Sequence, residues 1–357
     1  MAKINPRFGK ELNKYGAINF NACYNCGNCT AVCSLSTEED SFPREMVRLS
    51  ALGLEEEIKS SLKPWECYYC GDCSTHCPQE AKPGELMMSL RRWLTAQYDW
   101  TGLSGLLYKS LPISILAFIF TLIGVIAFAL SVDFELEKML EFGHLFEGIA
   151  IATIGLVILL PNIARMWYFT ILKPKVEVSF MKYVKSMGEL FLHMFTQKRT
   201  LGCDDNQFRW FEHFILVIGY LSLLFTTVVL SWFSRKWSEF EMITTDNFII
   251  ILGYVMSTIV FVVTIDFVSN RIKQKKEVSK HSQPSDIFFV VWLFMMGLTA
   301  FMVRLFIDLD VLETNKWLYI FHLTILVQWA LIIVPFGKWT HFLYRSFAMY
   351  FAKLKTK

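Results

Sequence analysis

The sequence predicts a mostly α-helical protein, in which a small water-soluble head precedes a bundle of about six membrane-spanning helices. Of the 357 residues, 54% are hydrophobic and only 19% are charged, whereas ordinary soluble domains carry about 25% charged residues. The long apolar runs begin only after residue 108, and residues 1–108 hold 11 basic and 13 acidic side chains. Eight of the nine cysteines lie within that polar part. We therefore expect two domains, residues 1–108 and 109–357.

Composition also excludes two classes of protein. The formal net charge is only +3 and there is no large basic stretch, so a nucleic-acid binder is excluded. The high apolar content excludes a disordered chain. The sequence contains no catalytic triad, phosphate-binding loop or dinucleotide fingerprint. We therefore expect no separate substrate-converting site in this chain.

The head alternates cysteine-rich loops with helices. Residues 1–22 form a polar lead, and Asp99–Gly105 forms the hinge to the membrane part. One helix is predicted over Thr37–Ser60, with Ser41 as its cap and Pro43 in its first turn. A second helix is predicted over Pro83–Leu94.

The two cysteine loops have the same spacing, Cys-x2-Cys-x2-Cys-x3-Cys. Their members are Cys23, Cys26, Cys29 and Cys33 in the first loop, and Cys67, Cys70, Cys73 and Cys77 in the second. This spacing is typical of proteins that hold two [4Fe–4S] clusters, where the fourth cysteine of each loop ligates the other cluster. We therefore expect Cys23, Cys26, Cys29 and Cys77 to hold cluster one, and Cys67, Cys70, Cys73 and Cys33 to hold cluster two. The head is thus expected to be a dicluster, ferredoxin-like domain.

The cellular compartment expected for the head supports metal binding by these thiols. Residues 1–14 lack the apolar segment of an export signal, so we expect the head in a reducing compartment, where clustered cysteines more often bind metal than form disulfides. Structural zinc is the alternative, although zinc sites usually use two Cys-x2-Cys pairs that lie further apart. Cys203 is expected to be an ordinary thiol.

Six apolar segments follow the head, and each is long enough to cross a membrane as a helix. They lie near 109–131, 144–172, 212–233, 247–269, 286–307 and 317–336. The second segment contains Pro161, Asn162 and Arg165 and is the least uniform. A five-span arrangement is therefore the alternative.

Charge in the connecting loops predicts the orientation. Residues 173–211, 270–285 and 337–357 hold seven, five and five basic residues, whereas 132–143, 234–246 and 308–316 hold one, two and one. The positive-inside rule then places both termini at the cytoplasmic face of the inner membrane. Residues 176–197 are expected to form an amphipathic helix on that face.

Histidines at the ends of the spans are candidate haem ligands, because ionisable groups in membrane helices are costly. His213 begins the third span and His341 follows the sixth, so the two share the inner level. We expect this pair to hold an inner haem b. His193 on the surface helix is the reserve ligand, and Arg209 is a candidate partner for a haem propionate.

A second haem b is expected at the outer level, between His144 and His322. His322 and His341 lie 19 positions apart, which is roughly the thickness of the bilayer core if the intervening segment is helical. Pro335 must bend that segment. Bis-histidine ligation suits electron transfer because it leaves no open iron position. Glu147 and Trp232 are candidates for a quinone pocket near the outer haem, and both are equally explained as interfacial residues.

The chain also resembles known families. The head, from CYNCGNCTAVC through WECYYCGDCSTHCP to KPGELMMSLRRW, resembles the C subunit of heterodisulfide reductases. The body resembles the cytochrome b subunits of that family and of the nitrate reductase gamma family, most clearly in FHLTILVQWALIIVPFGKWTH. The fusion of both in this order is similar to the C subunits of quinone-interacting membrane-bound oxidoreductases.

This resemblance implies a function and a set of partners. It implies exchange with menaquinone in the quinone pool, two soluble flavin- and cluster-bearing subunits that are similar to the A subunit of heterodisulfide reductases, and an indirect electron link to adenylylsulfate reductase. The chain departs from the nitrate reductase pattern at Leu223, where that family has a second ligand histidine. The membrane arm of a heterodisulfide reductase or of another respiratory complex is one alternative. A zinc-stabilised membrane scaffold or sensor is another.

Overall fold

The computed structural model describes residues 3–198, 201, 207–226, 243–274 and 277–356. Across these residues the chain is helical and contains no strand, which confirms the predicted class. Part of the third predicted span, Cys203 and Trp232 lie outside the described residues.

The head consists of short helices around two loops, with one long helix behind them. Its helices are α1 (Phe8–Lys14), α2 (Asn28–Ala31), α3 (Arg44–Leu52), α4 (Glu55–Ser60), α5 (Lys63–Glu66), α6 (Asp72–Thr75), α7 (Pro83–Tyr98) and α8 (Leu103–Lys109). Helix α7 is almost entirely buried and runs four residues beyond its predicted end at Leu94. It therefore forms the central support of the head.

The single helix predicted over Thr37–Ser60 is wrong. Residues 37–43 are not helical, and Gly53 ends α3 with a φ of 71° before α4 begins at Glu55. A β-carbon on Gly53 would lie 2.1 Å from the carbonyl oxygen of Asn5. The close approach of the N-terminal segment thus requires glycine and breaks the helix. The cap is also different, since α3 follows Pro43 and not Ser41, and no side chain of the cap residue accepts a hydrogen bond there.

The membrane part contains most of the long helices and two very short ones. They are α9 (Leu111–Ser131), α10 (Leu136–Thr153), α11 (Leu160–Trp167), α12 (Phe180–Thr196), α13 (Gln207–Leu224), α14 (Ile243–Lys273), α15 (Glu277–Lys280), α16 (Pro284–Asp308), α17 (Lys316–Gln328), α18 (Val334–Phe336) and α19 (Thr340–Lys355). Within the described residues, five stretches are long and apolar enough to cross a membrane: Leu111–Ser131, Leu136–Leu172, Phe248–Lys273, Pro284–Asp308 and Glu313–Lys355. Helix α12 matches the predicted surface helix.

The last stretch is not one continuous helix. A π-helical turn over Trp329–Ile333 precedes α18, and the helix ends at Gly337, whose backbone is extended. Pro335 lies in this region, as expected from its inability to continue helical hydrogen bonding. His322 on α17 and His341 on α19 therefore lie on separate helices, and the chain leaves the helix at Gly337, two residues after Pro335.

The hydrophobic core of the head continues into the membrane part. Side chains of α1, α3, α5 and α7 pack in one cluster with Met166 and Ile171 and with the buried face of α19, including Tyr344 and Ala348. Arg165 donates to the carbonyl oxygens of Tyr98 and Gln97, each at 2.9 Å. The C-terminal helix is therefore part of the wall against which the head rests.

Ion pairs also join the head to the loops that were predicted to be cytoplasmic. Lys82 Nζ lies 2.8 Å from Glu277 Oε1, and Lys355 Nζ donates to the carbonyl oxygen of Ser60 at 3.0 Å. Lys173 pairs with Glu56. The head and these three basic loops thus lie on one side of the helical bundle.

Candidate functional site

The two cysteine loops have nearly the same backbone conformation. Gly27 and Gly71 occupy matching positions and have φ values of 92° and 97°. Asn25 and Tyr69 also match, with φ values of 60° and 58°. A short helix, α2 or α6, begins directly after each glycine. Left-handed residues at two matching positions turn each loop tightly, which is the conformation that the repeated spacing predicted.

Backbone amides in these loops point at cysteine sulfurs. The amide of Asn25 donates to Cys23 Sγ, and the amide of Tyr69 donates to Cys67 Sγ, both at 3.3 Å. The amide of Ala81 donates to Cys77 Sγ at the same distance. Such bonds stabilise negative charge on sulfur and are one means by which proteins tune iron–sulfur clusters.

The first neighbourhood of thiols combines cysteines of the first loop with Cys77, which ends the second loop. Burial is the main cause that raises the pKa of Cys29, and the negative charges of Cys23 and Cys77 raise it further. These electrostatic effects show that Cys77 lies near the first loop, from which it is separated by more than forty positions. The proximity agrees with the cluster-one set.

The second neighbourhood is the reciprocal one. The pKa of Cys33 is raised to about 11, mainly by burial and also by Cys67 and Cys70. The pKa of Cys73 is raised by burial first, then by Cys67, Cys70 and Cys33, and last by Cys29 of the first loop. Cys33 therefore lies with the second loop, which agrees with the cluster-two set.

The chemistry of these sulfur donors fits a polynuclear iron centre. Thiols with raised pKa values need a positive partner before they ionise, and thiolate-ligated iron supplies one. Among the described residues, no group of three or more His, Cys, Asp or Glu side chains is arranged to hold a single metal ion. The first neighbourhood is supported for Cys23, Cys29 and Cys77, and the second for Cys33, Cys67, Cys70 and Cys73.

The two neighbourhoods differ in exposure. Cys26 is exposed, and Tyr24 beside it is 77% exposed. Cys67 and Cys73 are buried. The first loop therefore reaches solvent at Tyr24 and Cys26, although its Cys29 is buried, whereas two of the four cysteines in the second loop are buried and none is exposed.

A cavity of about 250 Å³ adjoins the second cysteine loop and contains both predicted inner histidines. His213 enters it from α13 and His341 from α19, and Arg209 lines it as well. Tyr69 of the cysteine loop is also in the wall, and its carbonyl oxygen accepts a hydrogen bond from Arg209 Nη1 at 3.3 Å. The structure thus brings together His213, His341 and Arg209, as their depth in the sequence predicted.

The lining of this cavity mixes charged and apolar side chains. Five basic side chains, Arg91, Arg209, Arg271, Lys338 and Arg345, outnumber two acidic ones, Glu212 and Asp286. Apolar and aromatic side chains line it as well: Leu216, Val217, Leu221, Phe267, Phe289, Val290, Leu293 and Trp329. Such a cavity suits a flat, largely apolar ligand that carries negative groups at its edge.

One residue of this site was missed by sequence reasoning. Arg91 on α7 is 4% exposed; it donates through Nε to the carbonyl oxygen of Pro64 at 2.6 Å and through Nη2 to that of Cys67. Its Nη1 lies 3.4 Å from His341 Nε2. In the sequence it is one basic residue of a head helix. No local pattern indicates that it contacts a histidine 250 positions further along the chain.

The other predicted haem ligands lie elsewhere. His144 is exposed on α10, and His322 on α17 has its Nδ1 2.8 Å from Thr299 Oγ1 on α16. His193 lies 3.4 Å from Glu189 and lines a separate pocket between α12, α19 and the head. Neither the outer pair nor the reserve ligand lines the cavity of His213 and His341.

Comparison with known proteins identifies the head. Residues 22–82 match the family described as the 4Fe-4S dicluster domain. Over 97 residues the chain is 27% identical to a protein of Archaeoglobus profundus that is named as similar to the C subunit of heterodisulfide reductase; the match covers 27% of this chain and 52% of that protein. Over 79 residues it is 29% identical to the C subunit of the H(2):CoB-CoM heterodisulfide,ferredoxin reductase of Methanothermobacter thermautotrophicus, covering 22% and 43%.

A similar match is found with the C2 subunit of the H(2)/formate:CoB-CoM heterodisulfide,ferredoxin reductase of Methanococcus maripaludis, at 30% identity over 103 residues, which are 27% of this chain and 55% of that one. The chain thus spans about half the length of the curated relatives it matches. No solved structure matches the chain. The N-terminal part of this protein therefore carries a 4Fe-4S dicluster domain, and it is similar to the C subunit of heterodisulfide reductases.

Proposed function

We propose that this protein is a membrane electron-transfer subunit that passes electrons between menaquinone and soluble flavin- and cluster-bearing subunits. The observation that carries the proposal is the junction between the second cysteine loop and the cavity of His213 and His341. Tyr69 and Arg91 contact both. A buried path from a metal-binding loop to paired histidines among membrane helices is what such a protein requires.

The eight cysteines of the two loops are the proposed cluster ligands. Cys23, Cys26, Cys29 and Cys77 hold one [4Fe–4S] cluster, and Cys67, Cys70, Cys73 and Cys33 hold the other. The thiol neighbourhoods and the amide bonds to sulfur support this assignment. When bound, the clusters accept and donate single electrons, while the chain supplies ligands and low-dielectric surroundings.

His213 and His341 are the proposed ligands of the inner haem b. Arg209, which lines the same cavity, is the proposed propionate partner. His341 Nε2 lies 3.4 Å from Arg91 Nη1, so binding of a haem through this nitrogen would replace that contact. Two carbonyl oxygens hold the guanidinium of Arg91 independently of the histidine.

For a second haem b, His144 and His322 remain the proposed outer ligands, with His193 as the reserve ligand of the inner haem. His322 is supported by its position on a membrane helix beside Thr299. His193 is less favoured than His341, because it lines a different pocket.

The exposed first loop is the proposed contact with soluble partners. Residues 15–37 contain no charged side chain, although charged residues border them on both sides. Depletion of charge with an exposed aromatic residue such as Tyr24 is typical of protein interfaces. The partners proposed are two soluble subunits similar to the A subunit of heterodisulfide reductases, with an indirect link to adenylylsulfate reductase.

The number of electrons released by each menaquinol constrains the proposed electron path. Oxidation of one menaquinol releases two electrons and two protons, and the electrons leave singly through the protein to the flavin of the partner. The proposed location is the inner membrane, with both termini cytoplasmic. The side on which the basic loops and the head meet supports this orientation.

A second candidate is the membrane arm of a heterodisulfide reductase. The names of the relatives that match the head favour it. The two candidates differ in the proteins that copurify with the chain. The zinc-stabilised scaffold differs from both, because it predicts a colourless protein that contains zinc.

The proposal is tested by reduced-minus-oxidised spectra and metal analysis of the purified full chain with its partners. We expect b-type bands and about eight cluster irons per chain. Absence of b-type bands would contradict the haem assignment, and stoichiometric zinc with fewer irons would contradict the clusters.

A further inference from the structure

Arg91 lies between the second cysteine loop and the inner histidine. Its Nε and Nη2 donate to the carbonyl oxygens of Pro64 and Cys67, on either side of Trp65 and Glu66. Its Nη1 is within 3.4 Å of His341 Nε2. Trp65 also contacts the histidine, with ring centroids 5.8 Å apart. A single side chain thus fixes the backbone that presents Cys67 and faces His341.

The charge of Arg91 is buried, and its hydrogen bonds go to neutral groups. The guanidinium contacts carbonyl oxygens and Met88 Sδ, in addition to the histidine. The next arginine along the chain is different, because Arg92 Nη2 pairs with the carboxylate of Asp286 at 2.6 Å. A buried cation that is held by neutral dipoles acts strongly on nearby charges, since little solvent screens it.

We propose that Arg91 is a positioning residue whose single positive charge is shared by cluster two and by the haem at His341. This inference rests on the proposed function. Reduction adds one electron to either centre, and a fixed cation beside that centre stabilises the added negative charge. Arg91 therefore raises the reduction potentials of both centres together. The difference between the two potentials, which drives electron transfer between the centres, then changes little.

Arginine is required for the geometry as well as for the charge. A guanidinium offers several N–H donors in a rigid plane, so it can bind two carbonyl oxygens and still face a third group. Lysine keeps the charge but concentrates its donors at one atom. The two residues can therefore separate the electrostatic role from the positioning role.

The test is a potentiometric titration of the full chain in its complex, with Arg91→Gln, Arg91→Lys and Arg165→Gln. Cluster potentials are read by electron paramagnetic resonance, and the haem potential is read from the b-type absorption band. Arg165 is the matched control, because it also joins the head to the membrane part through two carbonyl oxygens. Cluster one serves as an internal reference.

We expect Arg91→Gln to lower the potentials of cluster two and of the inner haem together, with cluster one unmoved. Arg91→Lys should shift both potentials much less but slow electron transfer between the two centres. If both potentials in Arg91→Gln equal those of Arg165→Gln, or if Lys and Gln shift them equally, the inference is overturned. A wild-type protein that has clusters but no b haem would instead contradict the proposed function.

Discussion

Arg92 of the head and Asp286 of the membrane part form a buried ion pair, with Nη2 and Oδ2 only 2.6 Å apart. Lys338 pairs with the other carboxylate oxygen at 2.8 Å. Asp286 lies in the first turn of α16, where its Oδ2 also accepts from the amide of Gln283. One carboxylate thus joins the central helix of the head, the start of one membrane helix and the break before α19.

Removal of this carboxylate should loosen the head. In Asp286→Asn, the buried Arg92 and the partly buried Lys338 lose their carboxylate partner, and breaking a buried pair in this way costs about 3–5 kcal/mol. We expect earlier thermal loss of the cluster absorbance and faster proteolysis in the hinge near Asp99. Lys138→Gln removes an exposed pair with Glu135 and should change neither measurement. Equal behaviour of the two variants would argue against this role of Asp286.

The exchange of ligands between the two cysteine loops is open to direct test. In Cys33→Ser, cluster two should be damaged selectively, although Cys33 belongs to the first loop. In Cys77→Ser, cluster one should be damaged selectively. Electron paramagnetic resonance and iron analysis distinguish the two centres, and Cys203→Ser is the control that should keep both. Damage by Cys33→Ser to the same cluster as Cys26→Ser would refute the exchange.

Glycines of the cysteine loops should be needed for cluster retention. Gly27 and Gly71 have φ values above 90°, and alanine in a left-handed conformation costs roughly 1–2 kcal/mol. We expect Gly27→Ala and Gly71→Ala each to lower cluster content and to shorten cluster lifetime in air. Gly102→Ala is a matched control, because its φ is 75° and an added carbon meets nothing within 4 Å. If Gly102→Ala lost its clusters while Gly27→Ala and Gly71→Ala kept theirs, this interpretation would be contradicted.

The stability of the head should depend on pH through Glu85. This carboxyl is 3% exposed and accepts a hydrogen bond from Tyr69, and burial raises its pKa to about 7. Between its unfolded pKa and about 7, the folded state keeps a proton that the unfolded state releases. The free energy of unfolding therefore falls as the pH rises through that window, and it is constant above it.

Replacement by a neutral side chain should remove this dependence. In Glu85→Gln, the free energy of unfolding at pH 8 should exceed that of the wild type by at most about 3 kcal/mol, and the two proteins should converge below pH 5. Chemical denaturation of the full chain at several pH values measures the difference. A wild-type stability that rises between pH 5 and 7 relative to Glu85→Gln would contradict the account.

The sequence predicted what depends on spacing and on depth. Cysteines at a fixed repeat predicted two matching loops, and the depths of His213 and His341 predicted a common cavity. The helix end at Gly337 lies close to Pro335, where the chemistry of proline predicted a departure from a straight helix. These features depend on local sequence, or on how deep a residue lies along the membrane normal.

What the sequence did not predict depends on contacts between distant segments. Gly53 breaks a predicted helix because the chain near Asn5 passes close to it. Arg91 and Arg92 are adjacent, yet one faces His341 and the other pairs with Asp286. The packing of α19 into the core of the head likewise required the folded structure. Partners nearly 200 or more positions apart leave no periodic signal in the sequence.

The most direct test of the central claim is quinol-driven reduction of the clusters in His213→Ala and His341→Ala, with the partly buried His281→Ala, outside the cavity, as the control. Menaquinol is the reductant, and the b-type absorption band and the cluster signals are followed in the full complex. We predict that each variant loses the inner haem band and quinol-driven reduction, while dithionite still reduces both clusters. If every pigment stays in place and menaquinol reduces the clusters at the wild-type rate, the proposed path through these histidines is contradicted.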